Sequence, residues 1–222
     1  MTKVVIFDFD GVIADTETVH LNAFREILAP EGIEISHGDY FSKYLALDDK
    51  TFFTALLEEN GKRADAKTVS AMTERKSAMT SEMIKNCGLF DGTEDLIRAL
   101  SGRGFALAIA SGALKSEIES VLLRGGLLNL FSFVASADDC EKCKPDPEVF
   151  LLALKGLNKN GTAARAEDCV VIEDSPHGIE AALAAGMKCV AVTNSHPRAA
   201  LERANLVVES AREINAEVIG SF

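Results

Sequence analysis

The sequence lacks any run of basic residues. Among its 222 residues 34 are acidic and 23 are basic, so the formal charge is −11. Because nucleic-acid backbones bind proteins through clustered Lys and Arg, we expect no nucleic-acid partner. No stretch approaches the roughly 18 uninterrupted apolar residues of a membrane-spanning helix. The short apolar segment at the N-terminus is broken by acids, unlike a signal peptide. We therefore expect a cytoplasmic protein with no membrane partner.

The sequence also lacks the cysteine pattern of a disulfide framework. Its five cysteines are odd in number and unevenly spread, as is typical of reduced thiols: Cys87, Cys140, Cys143, Cys169 and Cys189. Cys140 and Cys143 form a C-x-x-C, but no second ligand pair lies nearby in the sequence to complete a tetrahedral zinc site. We expect all five to be free thiols.

Internal repeats and low-complexity tracts are absent as well, and no strand pattern appears between Asp15 and about Asn86. Apolar residues recur there at helical spacing instead. Because a parallel crossover connection needs only about a dozen residues, a helical stretch of roughly seventy indicates an inserted module. We predict a helical domain over 16–86 and a core domain formed by 1–15 and 87–222.

The core domain shows alternating strands and helices. Strands are predicted at 4–7, 105–110, 131–136, 169–172 and 188–192. Helices separate them, and Thr93 is predicted to cap one of these helices. This alternation predicts an α/β fold with a doubly wound parallel sheet.

The first strand ends in two acids. Asp8 and Asp10 are two residues apart, so in extended backbone their side chains point to the same side. They would repel unless a cation lies between them or one stays protonated, and a divalent metal meets that need. An acidic turn or a calcium loop is the alternative. An EF-hand loop, however, needs glycine at position 6 after a helix, whereas Gly11 is at position 4 after a strand.

Other predicted strands also end in polar groups. Ser111 follows the second, Lys144 lies in the loop after the third, and Glu173 and Asp174 follow the fourth. Because the carboxyl ends of parallel strands share one edge, these residues are expected to converge with the first two acids. Acids, a hydroxyl and a lysine suit a phosphoryl group with Mg²⁺.

At this point the sequence resembles a known family. DFDGVIADT, the Ser of AIASGA, the Lys of KPDPEVF and the acids of IEDSPHG match, in order, the four motifs of the haloacid dehalogenase superfamily of phosphohydrolases. The resemblance covers essentially the whole chain, and the helical insertion is similar to a C1 cap. The first and fourth motifs resemble most the β-phosphoglucomutase and sugar-phosphate phosphatase branch.

The resemblance implies roles for the acids. Asp8 would attack phosphorus and form an aspartyl-phosphate, and Asp10 would serve as general acid and then as base. Mg²⁺ would be held by the Asp8 carboxylate, the Asp10 backbone carbonyl and Asp174, with Glu173 close by.

The phosphate group would be bound by Ser111, Gly112 and Lys144. Lys142 competes with Lys144 for this role, but Pro145 and the residues after it identify Lys144 as the match to the motif. Ser175, next to the metal acids, is predicted to cap the following helix.

Three residues of the helical insertion are further candidates for substrate binding. Glu17 and His20 match positions that face the active site in this branch, although exposed positions on an amphipathic helix would explain them equally. Lys76 interrupts an apolar stripe, so it either snorkels or reaches the substrate. Residues 48–50 form either a loop over the site or a helix N-terminus.

Taken together, these features predict a Mg²⁺-dependent phosphatase for a small phosphorylated metabolite such as a sugar phosphate, acting as a monomer or weak dimer. The alternative is a β-phosphoglucomutase-type mutase. The loop YLALDDKTFF lacks the arginine that such mutases present there. The additional Ser and Asn that these mutases have shortly after the second motif are also missing after Ser111. Asp10 disfavours true dehalogenation, because a leaving halide needs no proton. A non-catalytic binding module would require that the acids of the four motifs have no catalytic role.

Overall fold

The computed structural model describes residues 4–45 and 47–222 and divides into two compact units. One unit, which we call the core unit, comprises Met1–Asp15 and Gly88–Phe222. The other, which we call the helical unit, is Thr16–Cys87. The helical unit is thus inserted into the core unit shortly after the first strand.

The described part of the helical unit is built from helices and a π-helical turn. They are α1 (Thr16–Leu28), α2 (His37–Asp39) continuing into the π-helical turn Tyr40–Tyr44, α3 (Asp49–Glu59) and α4 (Ala66–Ile84). Aromatic side chains fill its centre: Phe24 stacks on Phe52 with ring centroids 3.7 Å apart, and Phe53 meets Phe24 edge-on at 5.3 Å. This aromatic cluster joins α1 to α3.

Aspartates begin the two longer helices after α2. Asp48 Oδ1 accepts hydrogen bonds from the N–H groups of Lys50 and Thr51 at the start of α3. Asp65 does the same for Thr68 at the start of α4. Such N-caps satisfy otherwise unpaired donors and contribute about 1 kcal/mol each. Of the two alternatives for 48–50, the helix N-terminus is therefore confirmed.

The core unit is organised around a six-stranded parallel sheet. Its strands are β1 (Val4–Phe7), β2 (Ala106–Ala110), β3 (Phe133–Ala135), β4 (Cys169–Glu173), β5 (Lys188–Val192) and β6 (Leu206–Val208), in the order β3-β2-β1-β4-β5-β6. The central β1 and β4 are buried along their whole length. Such unbroken apolar strands are typical of a parallel sheet covered on both faces.

Helices cover this sheet: α5 (Thr93–Gly102), α6 (Lys115–Arg124), α7 (Glu148–Lys159), α8 (Pro176–Ala184) and the short α9 (Ala216–Gly220). Val4 and Ile6 pack on one face in a cluster with Phe150 of α7 and Ile179 of α8. Side chains alternate along a strand, so Phe7 points to the other face, where its ring meets Phe131 edge-on at 5.9 Å. The prediction of a doubly wound parallel α/β fold is confirmed.

The structure differs from the sequence prediction at two places. Thr93 is the first residue of α5 and not its cap; Gly92, in a left-handed conformation, holds that position. The Thr93 hydroxyl instead donates to the carbonyl oxygen of Val12 at 3.1 Å, so it serves the loop after β1. Strand β6 was not predicted, because its three residues form too short a run to stand out.

The helices of the described residues are too short or too polar to cross a lipid bilayer. The longest, α4, has 19 residues. It carries the consecutive charged residues Glu74, Arg75 and Lys76, which a bilayer interior would disfavour.

Helix α7 packs against β3 through a glycine, which predicts an asymmetric response to alanine. A Cβ on Gly156 would overlap the Phe133 ring, whereas a Cβ on Gly102, at the end of α5, would meet nothing. We expect Gly156→Ala to lower the free energy of unfolding by about 1–3 kcal/mol through overpacking. Gly102→Ala is expected to be neutral or slightly stabilising. Urea unfolding measures both, and equal effects would contradict the packing explanation.

Candidate active site

The first strand brings an acid to the carboxyl edge of the sheet. The backbone N–H of Asp8 donates to Ile172 O at 2.9 Å, so Asp8 remains in register with β4. Gly11 then adopts a φ of 74°, a left-handed conformation that glycine reaches without strain. Its N–H donates to Ala14 O at 3.0 Å and closes a tight turn. Asp8 is left 7% exposed at the strand end.

Three buried carboxylates converge at this edge. Asp8, Glu173 and Asp174 each offer an oxygen atom, and these atoms lie within 4.8 Å of one another. Carboxylates this close need a cation or an extra proton between them, and hard divalent cations prefer such oxygen ligands. The turn at Gly11 makes room for them, because a Cβ there would overlap the Asp174 carboxylate. The residues present therefore fit a divalent metal ion.

One ammonium group balances part of this negative charge. Lys144 Nζ donates to Asp8 Oδ1 at 2.7 Å and to Glu173 Oε1 at 2.8 Å. It also lies 4.9 Å from the centroid of the Phe150 ring, a cation–π contact. The loop after β3 thus reaches the ends of both β1 and β4.

The second oxygen of Glu173 is held by the turn that begins α8. Glu173 Oε2 accepts from the N–H groups of Asp174 and Ser175 at 2.8 Å and from the Ser175 hydroxyl at 3.0 Å. Ser175 Oγ accepts in turn from the N–H of Gly178, so Ser175 is the N-cap of α8 as predicted. Glu173, which is fully buried, is therefore hydrogen-bonded through both oxygens.

The pKa shifts of the buried acids and of Lys144 indicate an excess of negative charge at this edge of the sheet. Burial raises the pKa of Asp8 to about 7; Lys144 opposes this shift, and Glu173 and Asp10 add to it. Burial, Glu173 and Asp8 also raise the pKa of Asp174 well above its usual value. Burial acts to lower the pKa of Lys144, but Asp8 and Glu173 outweigh it and raise that pKa. Lys144 stays charged, and one ammonium does not balance the cluster.

The second strand contributes a hydroxyl. Ser111 follows β2 directly, is 1% exposed, and its N–H donates to Ala135 O at 3.1 Å. Its Oγ lies 3.4 Å from Asp10 Oδ2 and accepts from the N–H of Ala113 at 3.0 Å. The structure therefore brings Asp10 and Ser111 together, although they are distant in sequence.

Beside these groups the core unit has a cavity of about 270 Å³. Its lining includes the predicted phosphate-binding residues and several neighbours: Ser111, Gly112, Lys142, Lys144, Cys140, Cys143 and His177. Lys142 Nζ pairs with Asp146 at 3.1 Å and is 69% exposed in its side chain. Of the two candidate lysines, Lys144 is the one whose ammonium contacts the acids.

Lys76 is buried inside the helical unit. Its Nζ donates to Asp49 Oδ1 at 2.8 Å and lies 2.7 Å from His20 Nδ1 and 4.6 Å from the Phe24 ring centroid. Because an ammonium only donates, His20 Nδ1 must accept, which leaves the proton of the neutral ring on Nε2. Lys76 is 3% exposed, so it does not snorkel to solvent.

Glu17, the third candidate of the helical unit, accepts a hydrogen bond from the Tyr40 hydroxyl at 2.8 Å. Like the contacts of Lys76, this one lies within the helical unit. Binding of substrate by Glu17, His20 and Lys76 remains a prediction.

Sequence reasoning missed the loop after β5. Asn194 Nδ2 donates to Gly11 O at 2.7 Å, and the Ser195 hydroxyl lies beside the Asp174 carboxylate. The run Thr-Asn-Ser-His at 193–196 directly follows a predicted strand. Applying the strand-end rule to the fifth strand as well would have found these residues.

Known proteins are similar to this chain in sequence and in fold. The family model for haloacid dehalogenase-like hydrolases matches residues 5–192. Fructose-1-phosphate phosphatase YqaB of Escherichia coli (strain K12) is 32% identical, over 85% of this chain and 95% of its own length. The phosphorylated carbohydrates phosphatase of Thermotoga maritima is 29% identical, over 84% of this chain and 82% of its own. Crystalline β-phosphoglucomutase from Clostridium difficile superposes with a TM-score of 0.75 at 30% identity, covering 100% of this chain and 96% of that one.

An α/β hydrolase with an acidic centre at the strand ends is the class that fold and site define. The chain belongs to the haloacid dehalogenase-like hydrolases. Its phosphatase relatives identify it as a phosphoric monoester hydrolase.

The pKa of His20 predicts a pH-dependent stability. Burial and Lys76 lower that pKa from 6.5 to about 4, against the opposing effect of Asp49. The unfolded chain therefore takes up a proton that the folded chain does not. This contribution to the free energy of unfolding is complete above about pH 6.5 and is lost as the pH falls toward 4.

NMR titration of the His20 ring checks its lowered pKa directly. Urea unfolding of His20→Gln, whose side chain does not titrate, should depend less on pH between 6.5 and 4 than unfolding of the parent. A ring that titrates near its usual pKa would show that the buried contact with Lys76 does not persist.

Lys144 and Lys142 form a matched pair for mutation. We expect Lys144→Ala to lower kcat/KM for a phosphate monoester by about 100-fold or more, as when a fixed electrostatic donor is removed. Lys142→Ala removes an exposed ion pair and is expected to change kcat/KM less than about fivefold. Steady-state phosphate release measures both, and circular dichroism verifies folding. Equal losses would show that Lys144 has no special role.

Proposed function

We propose that this protein is a Mg²⁺-dependent phosphatase that hydrolyses a small phosphate monoester through an aspartyl-phosphate on Asp8. The observation that carries the proposal is the buried carboxylate cluster with Lys144 bonded to Asp8 at 2.7 Å. The substrate we propose is a sugar phosphate or a related metabolite, in keeping with the names of the relatives.

Asp8 would act as the nucleophile. One carboxylate oxygen would bond to phosphorus while the bond from phosphorus to the leaving alcohol oxygen breaks. The Asp8 carboxylate, Asp174 and the Asp10 backbone carbonyl would hold the divalent ion, with Glu173 beside them. When bound, the ion neutralises charge between the carboxylate and the phosphate oxygens. Covalent capture of this kind divides one slow hydrolysis into two faster steps.

Asp10 would move the protons. Its carboxyl group is partly exposed at the edge of the sheet and lies 3.4 Å from Ser111 Oγ. In the first step Asp10 would give its proton to the leaving alkoxide oxygen. In the second step it would take a proton from the water that attacks phosphorus, which releases inorganic phosphate and restores Asp8.

The phosphoryl oxygens would be held by Ser111, Gly112 and Lys144. These residues line one cavity of about 270 Å³, a volume near the lower end of the range for sites that hold small molecules. The Lys144 ammonium is already directed at the nucleophile, so it would need little reorganisation to bind a phosphoryl group there. We propose that residues 16–86 act as a cap and that Glu17, His20 and Lys76 help to select the substrate.

A β-phosphoglucomutase-type reaction is the second candidate. The structural similarity to the Clostridium difficile enzyme favours it. Against it stands the segment YLALDDKTFF, which runs into α3 and contains no arginine. A lysine would replace a bidentate arginine poorly.

Substituting the nucleophile tests the proposal. Phosphate release from p-nitrophenyl phosphate and from a panel of sugar phosphates is measured with and without Mg²⁺. We expect turnover that depends on Mg²⁺ and falls by about 10⁴-fold or more in Asp8→Asn, because covalent capture is lost. Asp91→Asn is the control, since Asp91 is an exposed acid of the core unit that pairs with Arg212. It should retain full activity.

Two results would change these assignments. Turnover by Asp8→Asn equal to that of the parent would remove Asp8 as nucleophile and leave the fold as a binding module or another catalyst. Conversion of β-glucose 1-phosphate to glucose 6-phosphate, primed by the bisphosphate and faster than phosphate release, would establish the mutase instead.

A further inference from the structure

The loop after β5 contacts two motifs of the acidic centre through consecutive side chains. Asn194 Nδ2 donates to the carbonyl oxygen of Gly11 at 2.7 Å. The Ser195 hydroxyl lies beside the Asp174 carboxylate at Gly11 and acts to lower the pKa of that carboxyl, as a hydrogen-bond donor does. A fifth strand end therefore reaches the place where the ends of β1 and β4 meet.

These segments pack tightly around Gly11. A Cβ on Gly11 would overlap Asp174 Oδ2 and would lie 2.7 Å from Ser195 Oγ. The turn after β1, the carboxylate of Asp174 and the hydroxyl of Ser195 thus pack around a space too small for one methyl group. A displacement of Ser195 or Asn194 would therefore also shift the turn after β1 and the Asp174 carboxylate.

The charges around Asp174 explain why it needs a neutral donor. Glu173 and Asp8 lie within the same cluster and repel its carboxylate, and Asp174 is only 4% exposed, so solvent offers little compensation. Among the described residues, the Lys144 ammonium is engaged by Asp8 and Glu173. The Ser195 hydroxyl lies beside the Asp174 carboxylate and can hold it toward the other two acids as a neutral donor.

We propose that Ser195 and Asn194 are positioning residues of the metal centre. Ser195 orients the Asp174 carboxylate for the divalent ion, and Asn194 fixes the Gly11 turn that carries Asp8 and Asp10. Groups that orient a metal ligand through a hydrogen bond commonly change metal affinity by about 10- to 100-fold. The inference rests on the proposed function: the role of Ser195 requires that a divalent ion binds at this cluster, and the role of Asn194 requires that the site turns over a phosphate monoester.

Thr193 offers a matched control in the same loop. Its Oγ1 donates to Glu209 O at 3.4 Å, so its hydroxyl is used by the connection after β6 and not by the acids. Thr193→Val and Ser195→Ala each remove one hydroxyl from adjacent parts of one loop. A general weakening of the loop would lower the Mg²⁺ affinity of both variants. Loss of the Asp174 orientation would lower it in Ser195→Ala alone.

The test is a titration of the metal-free protein with Mg²⁺, followed by calorimetry and by the rise in melting temperature. We expect Ser195→Ala to bind Mg²⁺ about 10- to 100-fold more weakly than the parent, with the metal-free melting temperature unchanged. Thr193→Val and Ser195→Thr, which keeps a hydroxyl at 195, should bind as the parent does. Equal affinity in Ser195→Ala and the parent would overturn the proposal, as would equal loss in Thr193→Val or in Ser195→Thr.

Asn194 is tested by kinetics at saturating Mg²⁺. Loss of one neutral hydrogen bond to the turn should lower kcat in Asn194→Ala by about 2- to 10-fold and leave KM near that of the parent. An unchanged kcat would remove Asn194 from the proposal.

These results separate the two proposals. A parent protein that binds Mg²⁺ but releases no phosphate would refute the proposed function and leave the Ser195 titration valid. Normal Mg²⁺ binding by Ser195→Ala in a protein that still depends on Asp8 would refute only the positioning role.

Discussion

Among the described residues, three buried carboxylates face a single ammonium group, and this is the constraint on which the rest of the core unit depends. Asp8, Glu173 and Asp174 could not remain together at the edge of an apolar sheet without compensation. Lys144 binds two of them, and the turn that begins α8 supplies three further donors to Glu173. Negative charge remains after these contacts, and a bound divalent ion would balance it.

The strand order explains why these groups meet. In the order β3-β2-β1-β4-β5-β6, β1 lies between β2 and β4, so its acids have Ser111 on one side and Glu173 with Asp174 on the other. The loops after β3 and β5 then close over the same edge with Lys144 and Asn194. A parallel sheet collects its loops at one edge in this way, and the apolar strands beneath give that edge a rigid floor.

Each unit contains a buried lysine, and the two differ in how their charge is balanced. In the helical unit Lys76 faces one carboxylate, Asp49, and a histidine whose pKa is lowered to about 4, so the group is close to neutral. In the core unit Lys144 faces two carboxylates with a third beside them. A balanced group stabilises the fold around it, whereas an unbalanced one is a place where a charged ligand gains binding energy.

Local pattern was enough to predict several features of this protein. The strands at 4–7 and 188–192 were predicted from apolar runs, and Ser175 was predicted as a cap from its position before α8. Convergence of the acids followed from the parallel topology, because all strands of such a sheet end at the same edge. These features depend on neighbours in the chain or on topology alone.

Other features depended on tertiary contacts. The hydroxyl of Thr93 bonds to Val12 across the fold instead of capping α5, Lys76 finds Asp49 and His20 on other helices, and the loop after β5 reaches Gly11 and Asp174. A side chain's hydrogen-bonding capacity is evident in the sequence, but its partner is chosen by which segments pack together. The sequence therefore determined which polar side chains lie at the ends of the strands, and only the tertiary structure decided which partners hold them in place, because those partners come from distant segments.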